Sequence, residues 1–291
     1  MKTSILCIVG PTASGKSSRA VAEARTRGGE VISVDSRQVY RGLDIGTEKI
    51  STVEMQGVPH HLIDICSPKE RYSAGDFVQD ARRLIQEITS RGKVPILAGG
   101  THFYFNALFQ GLPEGVNPNP EFRETLEKFS NEELYARIST VDPRRAQDLD
   151  PQNRRRLIRA LEIIASSGIV PARQVLNGNH LKQYDVEWIV IDPSRELLVE
   201  RINTRLKNAL AHGLVEEVRR VREEVGDARL NELGLEYKII GEFLRGERTE
   251  ASLLPTLSAK LWQYARRQKA WLRKLHDEQT IAATPSPPDR N

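Results

Sequence analysis

Along the chain, short unbroken apolar runs alternate with longer stretches whose apolar residues recur at helical spacing. Residues 4–10 (SILCIVG) form one such run, ending in glycine, the pattern of a parallel strand buried on both faces. The loop PTASGK follows, and residues 17–27 carry helical spacing closed by Gly28 and Gly29. β-Rich runs return at 30–36 (EVISVDS) and 93–99 (KVPILAG), with a helical pattern over 74–91 between them. This alternation predicts an α/β fold, a P-loop-type parallel sheet flanked by helices.

The rhythm stops near Pro113. The stretch NPNP at 117–120 reads as a linker, and residues 121–167 are charged and helix-periodic without β-branched runs. A buried strand is predicted again at 187–191 (EWIVI), with helices over 194–211 and 214–225. The expected organisation is a discontinuous catalytic core, residues 1–116 plus 186–279, interrupted by an inserted all-helical domain over 117–185. The segment 280–291, with PSPPDRN, is expected to be a disordered tail.

Composition adjusts this picture at two places. Lys and Arg number 43 against 39 Asp and Glu, a net charge of +4, so any nucleic-acid surface has to come from local clustering. Six arginines and two aspartates lie between Arg144 and Arg159, and six basic residues and no acid between Lys260 and Lys274. Arg155, Arg156 and Arg159 share helical spacing that suits tracking a phosphate backbone, although most such clusters are solvated helix faces. Leu257, Leu261, Leu272 and Leu275 mark an apolar stripe, with Lys260, Arg267 and Lys274 pointing away from it. Two cysteines, Cys7 and Cys66, are too few for a disulfide framework. No leader pattern or membrane-length apolar run is present, so a cytoplasmic protein without membrane attachment is expected.

The strongest chemical signal is Gly10-Pro11-Thr12-Ala13-Ser14-Gly15-Lys16-Ser17, which satisfies G-x-x-x-x-G-K-[ST] between a predicted strand and helix. Such a loop aims backbone N–H groups and a helix N-terminus at phosphate oxygens. Lys16 would neutralise a terminal phosphate, and the Ser17 hydroxyl would hold Mg2+. The default reading is a nucleotide-binding (ATP-binding) loop of a P-loop kinase. That reading needs a carboxylate ending a later apolar strand, yet PILAGG ends in Gly99, Gly100 and Thr101. The carboxylate at a strand end close to the loop is Asp35, in SVDSRQVY.

The segments GPTASGKS, DSRQVYRGLDIGT, HHLID with YSAGDF, AGGTHFYFNAL, NRRRLIRALEI, RELLVERINTRLKNALAHGLVEEV and YARRQKAWLRK occur in this order. Together they resemble the tRNA dimethylallyltransferases, the bacterial-type tRNA isopentenyltransferases, over nearly the whole chain. The resemblance implies that the loop holds the pyrophosphate of dimethylallyl diphosphate instead of ATP, which accounts for the missing carboxylate. It implies transfer of the dimethylallyl group to the exocyclic amine (N6) of adenosine 37 in the anticodon stem-loop of tRNAs reading codons that start with U. Asp35 is then the group that orients the amine or accepts its proton. Arg205, a better match than Arg201, stabilises the leaving group, and Thr101 lines the reaction channel. Asp35, Ser36, Arg37 and Gln38 hold the flipped base, while Arg123 and the segment Arg155, Arg156, Leu157, Ile158 and Arg159 contact tRNA. Tyr40, Phe103 and Tyr104 are further candidates, as apolar walls or as plain core.

Three positions depart from the family pattern. Gly100-Thr101-His102-Phe103-Tyr104 stands where Gly-Thr-Gly-Leu-Tyr is common, Glu236-Tyr237-Lys238 where Gly-Tyr-Lys is common, and Leu261-Trp262-Gln263-Tyr264 where Thr-Arg-Gln-Tyr is common. They bear on RNA contact. A prenyltransferase acting on free adenine nucleotides is disfavoured by the arginine-rich insertion, and a non-catalytic RNA-binding module by the intact GPTASGKS and DSRQ segments. One hairpin per chain suffices for the reaction, so a monomer is expected.

Overall fold

The computed structural model describes residues 2–112, 119–168 and 183–279. The chain divides into two compact units, Met1–Phe109 with His180–Asn291, and Gln110–Asn179. The junctions thus fall near 110 and 180, ahead of the 117 and 186 expected from sequence. The expected tail, 280–291, lies outside the described residues.

In the larger unit the strands are β1 (Thr3–Val9), β2 (Gly29–Val34), β3 (His60–His61), β4 (Val94–Gly99) and β5 (Tyr184–Val190), in the order β3-β2-β4-β1-β5. All neighbouring pairs are parallel. Its helices are α1 (Lys16–Arg27), α2 (Thr52–Met55), α3 (Ala74–Ser90), α4 (His102–Gln110), α9 (Arg195–Ala211), α10 (Leu214–Leu233), α11 (Leu235–Leu244) and α12 (Leu253–Gln279). The apolar runs of β1 and β2 are buried almost throughout, as a sheet covered on both faces requires. One core packs Ile32, Phe77, Ile85 and Leu97 with Leu206, Val218, Tyr237 and Leu257, and a second packs Leu6, Ile8, Ala20, Val21 and Ile96.

Two elements differ from the sequence reading. β5 begins at Tyr184, inside the expected insertion, because its register with β1 runs from Thr3↔Tyr184 to Val9↔Val190. α10 runs on beyond Val225 to Leu233 through a kink at Gly226, whose φ of 74° glycine tolerates. Local signals mark the other ends well: Ser73 and Ser51 form capping boxes with Asp76 and Glu54, and Gly28 closes α1 in the left-handed conformation.

The smaller unit is helical in its described part: α5 (Pro120–Leu126), α6 (Asn131–Val141), α7 (Pro143–Gln147) and α8 (Arg154–Ser167). Leu126, Leu134, Ile138, Leu157, Ile158 and Leu161 form its own core.

Candidate active site

β1 ends at Val9, and the chain turns through the loop into α1. Gly10 has to be glycine because an added Cβ would lie 2.6 Å from the Ile191 carbonyl oxygen. Ala13 (φ 59°) and Gly15 (φ 90°) are left-handed, a conformation that turns successive N–H groups into a concave, anion-binding face. Pro11 and Ser14 are buried, Thr12 and Ala13 half-buried, and Gly15 and Ser17 exposed. Lys16 Nζ donates to the Pro11 carbonyl at 2.6 Å and to Ser14 Oγ at 3.5 Å, so the ammonium curls over the loop it belongs to. Burial lowers its pKa to about 8, while the carboxylates of Asp35 and Glu48 pull it back up and the Arg205 guanidinium lowers it further.

Asp35 follows the end of β2. Its Oδ1 accepts the N–H of Arg37 at 2.8 Å and of Gln38 at 3.3 Å, an Asx turn that fixes the carboxylate at the strand's end. Thr101 follows β4, which lies beside β2, and its Oγ1 accepts the Ser36 N–H at 3.2 Å. The Gln38 amide is engaged in bracing the loop, donating to the carbonyls of Thr47 and Glu48 and approaching Ser33 Oγ at 3.2 Å. Its side chain is therefore a scaffold for the segment 44–48.

From α9, Arg205 reaches the same place. Nη1 donates to Thr12 Oγ1 at 2.7 Å and pairs with Glu48 at 3.3 Å, and Nη2 donates to the Gly46 carbonyl and to Glu236 Oε1, both at 3.2 Å. Arg201, one turn away, reaches only the Ser14 carbonyl, at 3.4 Å. Arg205 is thus the arginine the structure seats at the loop. Sequence reasoning missed its carboxylate partners. Glu236 is buried, and burial raises its pKa against the lowering influence of Arg205. Its departure from the glycine common at this position was the available signal.

Also missed was Glu217 of α10, a buried carboxylate that accepts the N–H groups of Asp44, Ile45 and Gly46 and the Tyr237 hydroxyl. Tyr264 of α12, held up to about 12 by burial and by the carboxylate of Asp35, completes the set.

Tyr40 and Tyr104 are buried, Tyr104 stacking on Phe77, so both are core; Phe103 is 57% exposed on the first turn of α4. In the smaller unit, Leu157 and Ile158 are corrections to the expected tRNA-contact set. Their apolar side chains are 0% and 6% exposed, inside that unit's core, which removes them from any surface contact. Arg123 forms a bidentate pair with the buried Glu162 (2.6 and 2.8 Å), and Arg159 reaches the same carboxylate at 3.2 Å. These two arginines satisfy a buried charge, as a carboxylate in a core requires. Arg155 and Arg156 are exposed at the start of α8, as are Lys260, Arg267 and Lys274 on α12.

The architecture defines a class, that of parallel α/β proteins with a left-handed, glycine-bearing turn between the first strand and the first helix, here near a strand-end aspartate and an arginine from a later helix. The comparisons give the particular family. The family model for IPP transferase matches residues 38–275. A tRNA dimethylallyltransferase of Thermomicrobium roseum is 41% identical over 278 residues, covering 93% of this chain and 84% of the relative. The tRNA isopentenylpyrophosphate transferase structure from Bacillus halodurans superposes with a TM-score of 0.69 at 38% identity, covering 94% of this chain and 87% of that one. A eukaryotic dimethylallyltransferase solved acting on tRNA gives a TM-score of 0.78 at 28% identity, covering 93% and 70%. The chain belongs to the tRNA dimethylallyltransferases, a family of prenyl-transferring enzymes.

Proposed function

We propose that this protein transfers the dimethylallyl group of dimethylallyl diphosphate to N6 of adenosine 37 of tRNA, releasing pyrophosphate. The observation that carries the reading is a loop that holds Lys16 and receives Arg205 at Thr12, with the charge of Asp35 acting on Lys16 and Thr101 bonded beside Asp35 at Ser36. Cations and the loop's N–H groups suit a diphosphate, and the carboxylate and hydroxyl suit an amine. In this reading N6 attacks C1 of the dimethylallyl group, a C–N bond forms as the C1–O bond breaks, and that bond's electron pair leaves with pyrophosphate. The N6 proton passes to Asp35. Lys16 and Arg205 are preorganised donors at the oxygens where charge grows.

The residues at hand fit a magnesium ion. Ser17 exposes a hydroxyl on the first turn of α1, a hard oxygen donor that would hold the ion together with oxygens of the diphosphate. Bound there, Mg2+ would neutralise charge on the diphosphate. No cluster of three or more His, Cys, Asp or Glu suited to a metal occurs among the described residues.

A kinase reading is disfavoured because β4, paired directly with β1, ends at Gly99 and runs into Gly100 and Thr101 with no carboxylate. No helix among the described residues is long and apolar enough to cross a membrane. Substrate selection among tRNAs reading U-initial codons, a cytoplasmic location and a monomeric state belong to the same proposal.

The test is mass spectrometry of nucleosides from an unmodified anticodon stem-loop with adenosines at positions 36–38, incubated with protein, Mg2+ and dimethylallyl diphosphate. A gain of one dimethylallyl group on a single adenosine is expected, and Asp35→Asn should slow it by about 10²–10⁴-fold with stem-loop affinity unchanged. No gain, with ATP consumed in a parallel reaction, would overturn the reading in favour of a kinase.

A further inference from the structure

One buried side chain bridges the two halves of the site and has no part in the reaction just described. Gln268, on α12, is 3% exposed. Its Oε1 accepts the Thr12 N–H at 2.9 Å, and its Nε2 donates to the Gly100 carbonyl at 2.9 Å. Thr12 belongs to the phosphate loop, and Gly100 immediately precedes Thr101, whose Oγ1 holds the Ser36 N–H beside Asp35. One amide therefore ties the donor-side loop to the acceptor-side turn. The approach is close: a Cβ on Gly100 would lie 2.5 Å from Gln268 Nε2 and would displace that amide.

The Thr12 end of the bridge and the helix that carries Gln268 are each held by further bonds. The Thr12 hydroxyl accepts from Arg205 while its N–H goes to Gln268, so this residue is pinned from two sides. On α12 itself, Lys269 bonds the Pro193 carbonyl and Asp192 at 2.7 Å each, and Trp271 Nε1 donates to Asn106 at 3.3 Å. Leu272 and Leu275 are buried below. These contacts seat the helix without Gln268, which leaves its two hydrogen bonds as a connection between loops. An amide suits this place, because it offers one acceptor to an N–H and one donor to a C=O in a fixed geometry.

We infer that Gln268 is a positioning residue that fixes the phosphate loop relative to the Thr101 turn, and so sets the distance and angle between the carbon that is transferred and the amine that receives it. The inference rests on the transferase reading. Displacement between a nucleophile and a reacting carbon acts on the chemical step more than on either binding step, and an error of about 1 Å can cost about 10²-fold in rate.

Steady-state kinetics of the full chain on the anticodon stem-loop test this, with Tm measured in parallel. Gln268→Leu removes both bonds and should lower kcat at least about tenfold, with KM for each substrate within about threefold of the parent. Gln268→Glu keeps the acceptor toward Thr12 and can bond Gly100 only when protonated. Its kcat relative to the parent should therefore fall as pH rises. A helix anchor alone would lower Tm and leave kcat per folded enzyme and its pH profile unchanged, and that result would overturn the inference. So would a loss confined to KM for dimethylallyl diphosphate. Where Gln268→Leu does not fold, the pH profile of Gln268→Glu decides. A parent enzyme that transfers no dimethylallyl group would instead remove the functional reading itself, which separates the two failures.

Discussion

Lys16 shows how much of this site is electrostatics at the level of single residues. Its ammonium sits over the loop among Asp35, Glu48 and Arg205, with a pKa near 8. The sign of the pH effect follows directly: below about pH 8 the side chain is an ammonium that attracts diphosphate, and above it a neutral amine that does not. The affinity of the free enzyme for pyrophosphate should therefore weaken as pH rises through this value, with a one-proton slope, which calorimetric titration across pH 6.5–9.5 would reveal. Lys16→Arg, whose guanidinium does not titrate in this range, should abolish that limb. An unchanged limb in the variant would assign the titration to another group. Glu48 and Glu236 set the electrostatics of the other cation, because Arg205 is paired with both.

At the scale of elements, the site is assembled from loops that the helices hold in place. The segment 44–46 has no regular partner strand, so its N–H groups require an acceptor, and Glu217 supplies it from α10. The Tyr237 hydroxyl adds a fourth bond at 2.6 Å, and the tyrosine's own pKa is pushed far up by burial and by that carboxylate. Glu217→Ala leaves these donors unpaired and should cost at least about 3 kcal/mol of stability in urea denaturation. It should also raise KM for dimethylallyl diphosphate, because Gly46, no longer held through its N–H, fixes less firmly the carbonyl that Arg205 bonds. A variant as stable as the parent would show that water replaces the carboxylate. The glycine at the end of α1 was legible from sequence, because a helix stop depends on residues within one turn. The start of β5 was not, since three of its first four residues, Tyr184, Asp185 and Glu187, carry polar groups and only pairing with β1 makes them a strand.

For the whole molecule, the modest net charge of +4 leaves RNA binding to local clusters, and the smaller unit sorts its arginines into two kinds. Arg123 and Arg159 satisfy the buried Glu162, whereas Arg156 is exposed on the first turn of α8. Arg156→Ala should weaken stem-loop binding and reduce the slope of log K against log salt by about one phosphate contact, leaving dimethylallyl diphosphate affinity alone. Equal slopes for variant and parent would show that Arg156 touches no phosphate. Arg123→Ala is expected to act differently, through loss of stability, because it removes the bidentate one of two arginine partners from a carboxylate whose side chain is 1% exposed.

The sequence by itself determined the alternation of strands and helices, the turn from strand to helix that carries Lys16 and Ser17, the strand-end place of Asp35 and the turn that carries Thr101. All of these rest on period, local chemistry or a motif confined to a few neighbouring residues. Only the tertiary structure decided which groups Arg205 bonds, that Leu157 and Ile158 are core, and that Glu217, Glu236 and Gln268 bond the loops around it. The physical reason is separation along the chain. Gln268 bonds a residue 256 positions away, and a buried polar side chain is assigned its partner by the packing of whole elements, which no local pattern records.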